Sequence, residues 1–189
     1  AGDLPEWTLQ NPDERSTGVL TENSTRPPPD NGLQMLYFDS RRAANPSHGN
    51  GLGSCAVHQR IGVVEWGAYT FSAVIYDRSS TPMPAEFYYG LWADDEAAPD
   101  KPDTELAKRD KSYAMAAGLE ETSVDPGDKQ LVSFEWRSNN RSLLGKNLFV
   151  RLEVPGSADT EETDPRQVLF DSVTVHLERP RAGTLMSVR

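Results

Sequence analysis

The sequence predicts an all-β fold, a sandwich or barrel of about eight antiparallel strands. Short stretches in which apolar and polar side chains alternate recur along the chain, and clusters rich in proline, glycine and asparagine separate them. With 189 residues, the chain is long enough for one domain that buries a real core. No internal repeat and no heptad pattern competes with this interpretation.

Eight stretches carry the period-2 pattern, in which successive side chains point to opposite faces of a strand. These predicted strands span residues 33–38, 55–61, 68–77, 86–93, 111–120, 130–137, 146–154 and 167–178. The connectors between them are polar, and within one of them the segment 103–111 predicts one short helix. We therefore expect a single domain over residues 1–178, followed by a tail at 179–189.

Alternation also assigns the rows of side chains that face the core. The predicted core rows are Tyr69, Phe71, Ala73 and Ile75; Val132, Phe134 and Trp136; Leu148, Val150, Leu152 and Val154; and Leu169, Asp171, Val173, Val175 and Leu177. The last of these rows contains a carboxylate. Because a buried carboxylate without a partner is costly, we expect Asp171 to be paired, hydrogen-bonded or bound to a metal ion.

The charge balance narrows the range of partners. The chain has 19 basic and 29 acidic residues, a formal net charge of -10. A field of this sign repels phosphate backbones and anionic headgroups, so we expect neither nucleic acid nor a membrane surface as partner. No apolar run approaches the ~20 residues that span a bilayer, and a single cysteine, Cys55, rules out an internal disulfide. The first ten residues lack the regions of a signal peptide, so we expect that one was removed or never existed.

The stretch 86–93 carries the clearest candidate for ligand binding. In it, Tyr88 and Trp92 share one face of the predicted strand with Glu86. Aromatic rings beside acidic side chains suit a carbohydrate groove or a small apolar pocket. The candidate ligand-binding residues are therefore Tyr88, Trp92, Glu86 and Trp66. The alternative is that most of the aromatic side chains belong to the core.

The sequence contains no motif of a known catalytic or nucleotide-binding site. It has no G-x-S-x-G elbow, no P-loop and no dinucleotide fingerprint. Its three histidines, His48, His58 and His176, are not spaced as metal ligands. The acidic connector at 94–103 is either a solvated loop, or it supplies a calcium site or a general acid.

Four segments, in order, resemble the galactose-binding-like jelly-roll domains, which are related to carbohydrate-binding modules. They are "LPEWTL" (4–9), "PPPDNGLQMLYF" (27–38), "AVHQRIGVVEWGAYTFSAVIYDR" (56–78) and the closing stretch 130–178 with "FDSVTV". The resemblance spans nearly the whole chain. It implies a jelly-roll β-sandwich and a secreted protein, at the cell surface or outside the cell.

The same resemblance implies a structural calcium ion. In such domains the aspartate of the "FDSVTV" strand, here Asp171, often helps to bind it. A strand of the type N-x-(G/S)-F-E, whose polar residues commonly complete the site, does not precede Trp7 in this sequence. Its absence would expose a sheet edge, so the resemblance also allows a homo-oligomer that pairs through this edge.

Three functions follow from the resemblance. The first is a non-enzymatic module that binds carbohydrate, a small apolar ligand or another surface component, with structural calcium. The second is an enzyme similar to the calcium-dependent jelly-roll cyclases of indole-alkaloid biosynthesis, in which Asp171, Asp94 or Asp39 would be a general acid of raised pKa in an apolar pocket. The third is a structural subunit of a surface assembly. A closed apolar pocket around a carboxylic acid would favour the cyclase, and an open groove with exposed rings would favour carbohydrate binding.

Overall fold

The computed structural model of the protein describes residues 7–10, 17–21, 34–39, 55–77, 87–94, 102–110, 113, 129–154 and 167–180. Within these residues, ten β-strands form two five-stranded sheets. The strands are β1 (Thr8–Gln10), β2 (Thr17–Thr21), β3 (Gln34–Asp39), β4 (Cys55–Val63), β5 (Gly67–Asp77), β6 (Tyr88–Ala93), β7 (Thr104–Asp110), β8 (Lys129–Ser138), β9 (Asn147–Val154) and β10 (Gln167–Glu178). The predicted strand at 111–120 lies outside the described residues, apart from Tyr113.

The first sheet has the strand order β1-β4-β9-β6-β7, and the second sheet has the order β2-β3-β10-β5-β8. All of these pairings are antiparallel. The chain crosses from one sheet to the other between most consecutive strands, so a strand seldom pairs with the next one in sequence. The predicted all-β jelly-roll sandwich is confirmed. Among the described residues, helical structure consists of the 3-10 turn Arg141–Leu143 and the single helical residue Tyr113, which the sequence had placed in a strand. No helix of this part of the chain is long and apolar enough to cross a membrane.

Strand β7 corrects the prediction of a short helix at 103–111. The sequence "TELAKRD" is composed mostly of good helix formers. In the structure, however, it pairs with β6 along its length, with Tyr88 opposite Asp110 and Ala93 opposite Thr104. The helix prediction was wrong because pairing with a neighbouring strand outweighs a preference of a few tenths of a kcal/mol per residue. β1 and β2 were also missed, because each is too short to show alternation.

Aromatic rings from both sheets occupy the centre of the core. The ring centroid of Phe71 lies 5.1 Å from that of Phe134 and 5.6 Å from that of Tyr89, and both pairs are stacked. Phe170 contacts Phe38 edge-on, with their centroids 5.7 Å apart. Each such pair contributes about 0.5–1.5 kcal/mol beyond the burial of its area. The predicted core rows on β5, β8 and β9 all face this core, with Trp136 partly buried at its margin.

A β-bulge in β10 shows that two of the five residues predicted for the core row of the last strand, Leu169 and Asp171, were assigned to the wrong face. The pairing of β10 with β5 shifts between Asp171 and Thr174, and Ser172 has a positive φ of 49°. One extra residue in a strand exchanges the faces that follow it. Before the bulge, Val168 and Phe170 therefore face the core. After it, the predicted inward residues Val173, Val175 and Leu177 pack against the core.

Asp171 consequently lies on the outer face of the second sheet, and its predicted place in the core row was wrong. It is directly opposite Val74, and Leu169 on the same face packs with Val74 and Tyr76 in a small cluster separate from the main core. Asp171 is nevertheless only 8% exposed. Its Oδ1 atom accepts a hydrogen bond of 2.6 Å from the backbone N–H of Ser172. Of the partners expected for this carboxylate, the structure shows a hydrogen bond, and the bond stabilises the bulge.

A substitution at Gly90 would test the pairing of β7 with β6. A Cβ atom at this position would overlap the carbonyl oxygen of Ala107 and come within 2.9 Å of the Cα atom of Lys108. Because both are backbone atoms of a paired strand, we expect Gly90→Ala to lower the free energy of unfolding by about 1–3 kcal/mol in chemical denaturation. The control Leu131→Thr, at an exposed position of β8, should change it by less than ~0.5 kcal/mol. Equal effects of the two substitutions would contradict this pairing.

Candidate functional site

The outer face of the first sheet carries a group of aromatic and charged side chains. Tyr88 and Trp92 on β6 point to this face, while Phe87, Tyr89 and Leu91 belong to the core. Opposite Trp92 on β9 lies Phe149, whose ring meets that of His58 on β4 edge-on at 5.6 Å. We call this surface, made of Tyr88, Trp92, Phe149, His58 and Arg151, the aromatic face.

A cationic side chain contacts each of the two candidate rings of the aromatic face, Trp92 and Tyr88. The Arg151 guanidinium lies 5.0 Å from the centroid of the Trp92 ring, and its Nε donates to Glu153 Oε2 at 3.0 Å. The Lys108 ammonium lies 4.4 Å from the centroid of the Tyr88 ring. Cation–π contacts of this kind are worth about 0.5–2 kcal/mol, depending on their exposure. Phe149, His58 and Arg151 are buried, so the middle of the aromatic face is covered. Tyr88 and Trp92 are both half-buried, and a cavity opens at the Tyr88 end.

At that end, five side chains surround an open recess of about 290 Å³. They are Tyr88, Lys108, Arg109, Asp110 and Tyr113, and we call this cavity the recess. It exists because β6 and β7 are paired, which places Asp110 directly opposite Tyr88. The recess therefore combines two tyrosine rings, one carboxylate and two cations. It lies at the end of β7, which is an edge strand of the first sheet.

Contacts within the protein hold the groups of the recess in place. The Arg109 guanidinium lies between two rings, 5.2 Å from the Tyr113 centroid and 4.8 Å from the Phe134 centroid. Asp110 Oδ1 accepts a hydrogen bond of 3.2 Å from the Tyr113 N–H. The Tyr113 hydroxyl donates to the Ser133 carbonyl oxygen at 2.7 Å, which connects the recess to β8 of the second sheet. The polar groups are thus oriented before any ligand binds.

Tyr89, on the core side of the same strand, lies close to these charges. It is opposite Arg109 in the pairing of β6 with β7, and its side chain is fully buried. Burial, with a smaller effect of Tyr113, raises the pKa of Tyr89 well above its usual range. Its hydroxyl group therefore stays neutral at any physiological pH, and the charges of the recess come from Lys108, Arg109 and Asp110.

The structure brings together only some of the predicted site residues. Tyr88 lines the recess, whereas Trp92 is half-buried beside Arg151. Trp66 is 44% exposed on the turn between β4 and β5. This turn is at the end of the sandwich where β6 ends, whereas Tyr88 is at the opposite end, where β6 begins. Glu86 lies outside the described residues, as does the side chain of Asp39.

Asp94 has a structural role. It is buried at the end of β6, where its two carboxylate oxygens accept hydrogen bonds from the backbone N–H of Asn147 at 3.2 Å and from the side-chain Nδ2 at 2.9 Å. These bonds connect the end of β6 to the start of β9. Asp94 and Asp171 therefore lie on different sheets, and neither is in the recess.

Sequence reasoning missed the charged half of the recess. Lys108, Arg109 and Asp110 lie in the segment that predicted a helix, so nothing indicated that they face Tyr88. The signal that could have found them is weak: Lys108 and Asp110 alternate with Arg109, as the residues of a strand do.

The predicted calcium site can be tested against its donors. Calcium takes six to eight oxygen ligands. Among the described residues, no three acidic, histidine or cysteine side chains come close enough to hold a metal ion. The described residues therefore do not by themselves define a calcium site.

Comparison with known proteins identifies the fold. No family model matches the chain, and no curated protein matches it. A cyclase from Fischerella sp. TAU has a TM-score of 0.61 and 16% sequence identity, over 94% of this chain and 87% of that one. A carbohydrate-binding module of family 4 has a TM-score of 0.50 and 13% identity, over 91% of this chain and 86% of that one. The chain has the jelly-roll sandwich fold that these domains share, as the sequence resemblance implied.

Proposed function

We propose that this chain is a non-catalytic carbohydrate-binding module and that the recess is its sugar-binding site. The observation that supports the proposal is the convergence of Tyr88, Tyr113, Lys108, Arg109 and Asp110 around one open cavity. The carbohydrate-binding module of family 4 shows that the fold can serve this purpose, and the site itself provides the argument.

The chemistry of the recess matches that of a sugar ring. One face of a pyranose is formed by C–H groups, which pack on aromatic rings such as those of Tyr88 and Tyr113. Its hydroxyl groups both donate and accept hydrogen bonds. In the recess, Asp110 accepts such bonds, and Lys108 and Arg109 donate them. A site that offers donors, acceptors and ring faces together discriminates sugars from purely apolar ligands.

The size of the recess limits the ligand to a short segment of a glycan. A cavity of about 290 Å³ is at the lower end of the range for ligand sites, enough for one or two sugar units. The buried middle of the aromatic face, at Phe149, His58 and Arg151, would not admit a longer chain. We therefore infer that the module recognises the end of a glycan or a single exposed unit.

A cyclase-like activity has less support. It requires a carboxylic acid in an apolar pocket, where burial would raise its pKa. Asp94 is hydrogen-bonded to Asn147, and Asp171 lies on the outer face of the second sheet, away from Tyr88 and Trp92. A location outside the cell, structural calcium at Asp171 and a homo-oligomer formed through a sheet edge remain part of the proposal.

Substitution of Asp110 tests the sugar site. A panel of soluble neutral oligosaccharides would be titrated into the protein by isothermal calorimetry. We expect at least one to bind, and Asp110→Asn to weaken it about tenfold or more, because a charged acceptor contributes about 1.5–3 kcal/mol. Asp103→Asn removes the same charge from an exposed position just before β7, and should bind like the unmodified protein.

Tyr113→Phe and Tyr113→Ala separate the ring from its hydroxyl group in the same assay. The phenylalanine should keep most of the affinity, because the ring that packs on the sugar is retained. The alanine should lose it. Binding by no member of the panel, or unchanged binding by Asp110→Asn, would contradict the proposed function.

Calcium at Asp171 can be tested by thermal unfolding, because an ion that binds only the folded state raises its stability. We expect the Tm in excess calcium to exceed the Tm in a chelator, and Asp171→Asn to abolish this difference. Asp103→Asn, which removes an exposed carboxylate, should retain it. Identical Tm values in calcium and chelator for the unmodified protein would refute the calcium proposal and leave the sugar site unaffected.

A further inference from the structure

We propose a second binding site, for a small, uncharged and largely apolar molecule, in a cleft between the two sheets. The cleft has a volume of about 280 Å³. The first sheet provides Gln59, Leu148 and Val150 as one wall, and the second sheet provides Val173, Val175 and Leu177 as the other. We call this cavity the inter-sheet cleft.

The inter-sheet cleft and the recess lie at opposite ends of the sandwich. Leu148, in the wall of the cleft, is opposite Ala93 at the end of β6. Tyr88, in the recess, begins the same strand. The two positions are five residue steps apart along the strand, a distance of about 16 Å at ~3.3 Å per residue. A ligand in the cleft would therefore not overlap one in the recess.

Two β-bulges, one in each sheet, direct apolar side chains into the cleft. In β4 the pairing shifts between Arg60 and Gly62, and the flanking residues Ile61 and Val63 both line the cavity. In β10 the bulge at Ser172 is followed immediately by Val173. Bulges are found preferentially next to binding and active sites because they re-aim side chains. Here the two bulges act on the same cavity from opposite sheets.

The walls of the cleft expose apolar surface that the fold itself does not cover. Val173, Val175 and Leu177 face inward but are only partly buried, and Ile61 and Val63 are exposed. Apolar surface left in water costs about 25 cal/mol per Å². A ligand that fills the cavity would cover this surface from both sides, which favours an apolar occupant.

The polar groups around the cleft show why the ligand should be uncharged. Glu65 and Arg179 form a double hydrogen bond at the rim, with distances of 2.8 and 2.9 Å, and this contact lowers the pKa of Glu65. The Tyr69 hydroxyl bonds to the backbone of Glu65, accepting from its N–H at 2.6 Å and donating to its carbonyl at 3.2 Å. The charges of Glu65 and Arg179 at the rim therefore neutralise each other, so neither needs a charged ligand as its partner.

The side-chain amide of Gln59 would orient the ligand in the cleft. It follows Val57 in the row of β4 that faces the other sheet, so an amide occupies a position between apolar residues. Pockets lined mainly by apolar side chains, with a few well-placed polar groups, are typical of small-molecule sites, in which those groups orient the ligand. The volume of the cleft suits a molecule of one or two rings with a single hydroxyl or amide group.

β-Naphthol and naphthalene form a matched pair of probes for this site. Both have two apolar rings, but only naphthol can form a hydrogen bond with Gln59. Quenching of tryptophan fluorescence would report binding, because Trp7 lines the cleft. We expect saturable binding of both probes, with naphthol preferred roughly three- to tenfold, the ratio that one hydrogen bond provides.

Three variants locate the binding. Gln59→Met keeps the size of the side chain and should abolish the preference for naphthol while naphthalene still binds. Val175→Phe should fill the cleft and weaken the binding of both probes at least tenfold. Asp110→Asn, in the recess, should leave both unchanged, so the outcome is independent of the sugar site. Non-saturable quenching, or a naphthol preference that survives in Gln59→Met, would overturn the proposal even if Val175→Phe failed to fold.

Discussion

The β-bulge of β10 is the constraint on which the rest of the structure depends. β10 lies in the middle of the second sheet, between β3 and β5, so the faces of its side chains decide what fills the sandwich. The bulge at Ser172 allows Phe170 and Val173 both to face inward, although an offset of three positions would place them on opposite faces of a regular strand. A serine with a positive φ costs about 1–3 kcal/mol. The hydrogen bond from its N–H to Asp171 offsets part of this cost.

The bulge also divides the core into two regions of different character. Before it, β10 contributes Phe170 to the aromatic centre, where Phe71, Phe134 and Tyr89 pack closely. After it, β10 contributes Val173 and the apolar residues that follow to the more open inter-sheet cleft. The two ends of the sandwich therefore differ in chemistry. One has a charged recess beside tyrosine rings, and the other has a cleft with apolar walls, the amide of Gln59 and an ion pair between Glu65 and Arg179 at its rim. One fold can thus present two unlike surfaces without any change in its core.

The alternation of apolar and polar residues correctly predicted which side chains face the core in regular strands. It gave wrong results where a strand contains a bulge, and where a strand can be identified only from its pairing with a neighbouring strand. The rows on β5, β8 and β9 were correct because β5 pairs with β8, and β9 pairs with β6, without a bulge, so alternation holds along them. The row containing Asp171 was wrong because an extra residue leaves no trace in a period-2 pattern. The recess was missed because Lys108, Arg109 and Asp110 reach Tyr88 only through the pairing of two strands. Trp66 was grouped with Tyr88 on residue type alone, and the turn before β5 places it at the other end.

The central claim is that a sugar binds in the recess beside Tyr88. An NMR titration that follows each backbone amide would test it most directly, with the neutral oligosaccharide that binds in calorimetry as ligand. The account predicts that the largest shifts occur at the amides of Tyr88, Lys108, Arg109, Asp110 and Tyr113, while those of Val173, Val175 and Leu177 stay in place. Shifts centred on Trp92 and Phe149, or on the residues of the inter-sheet cleft, would contradict it.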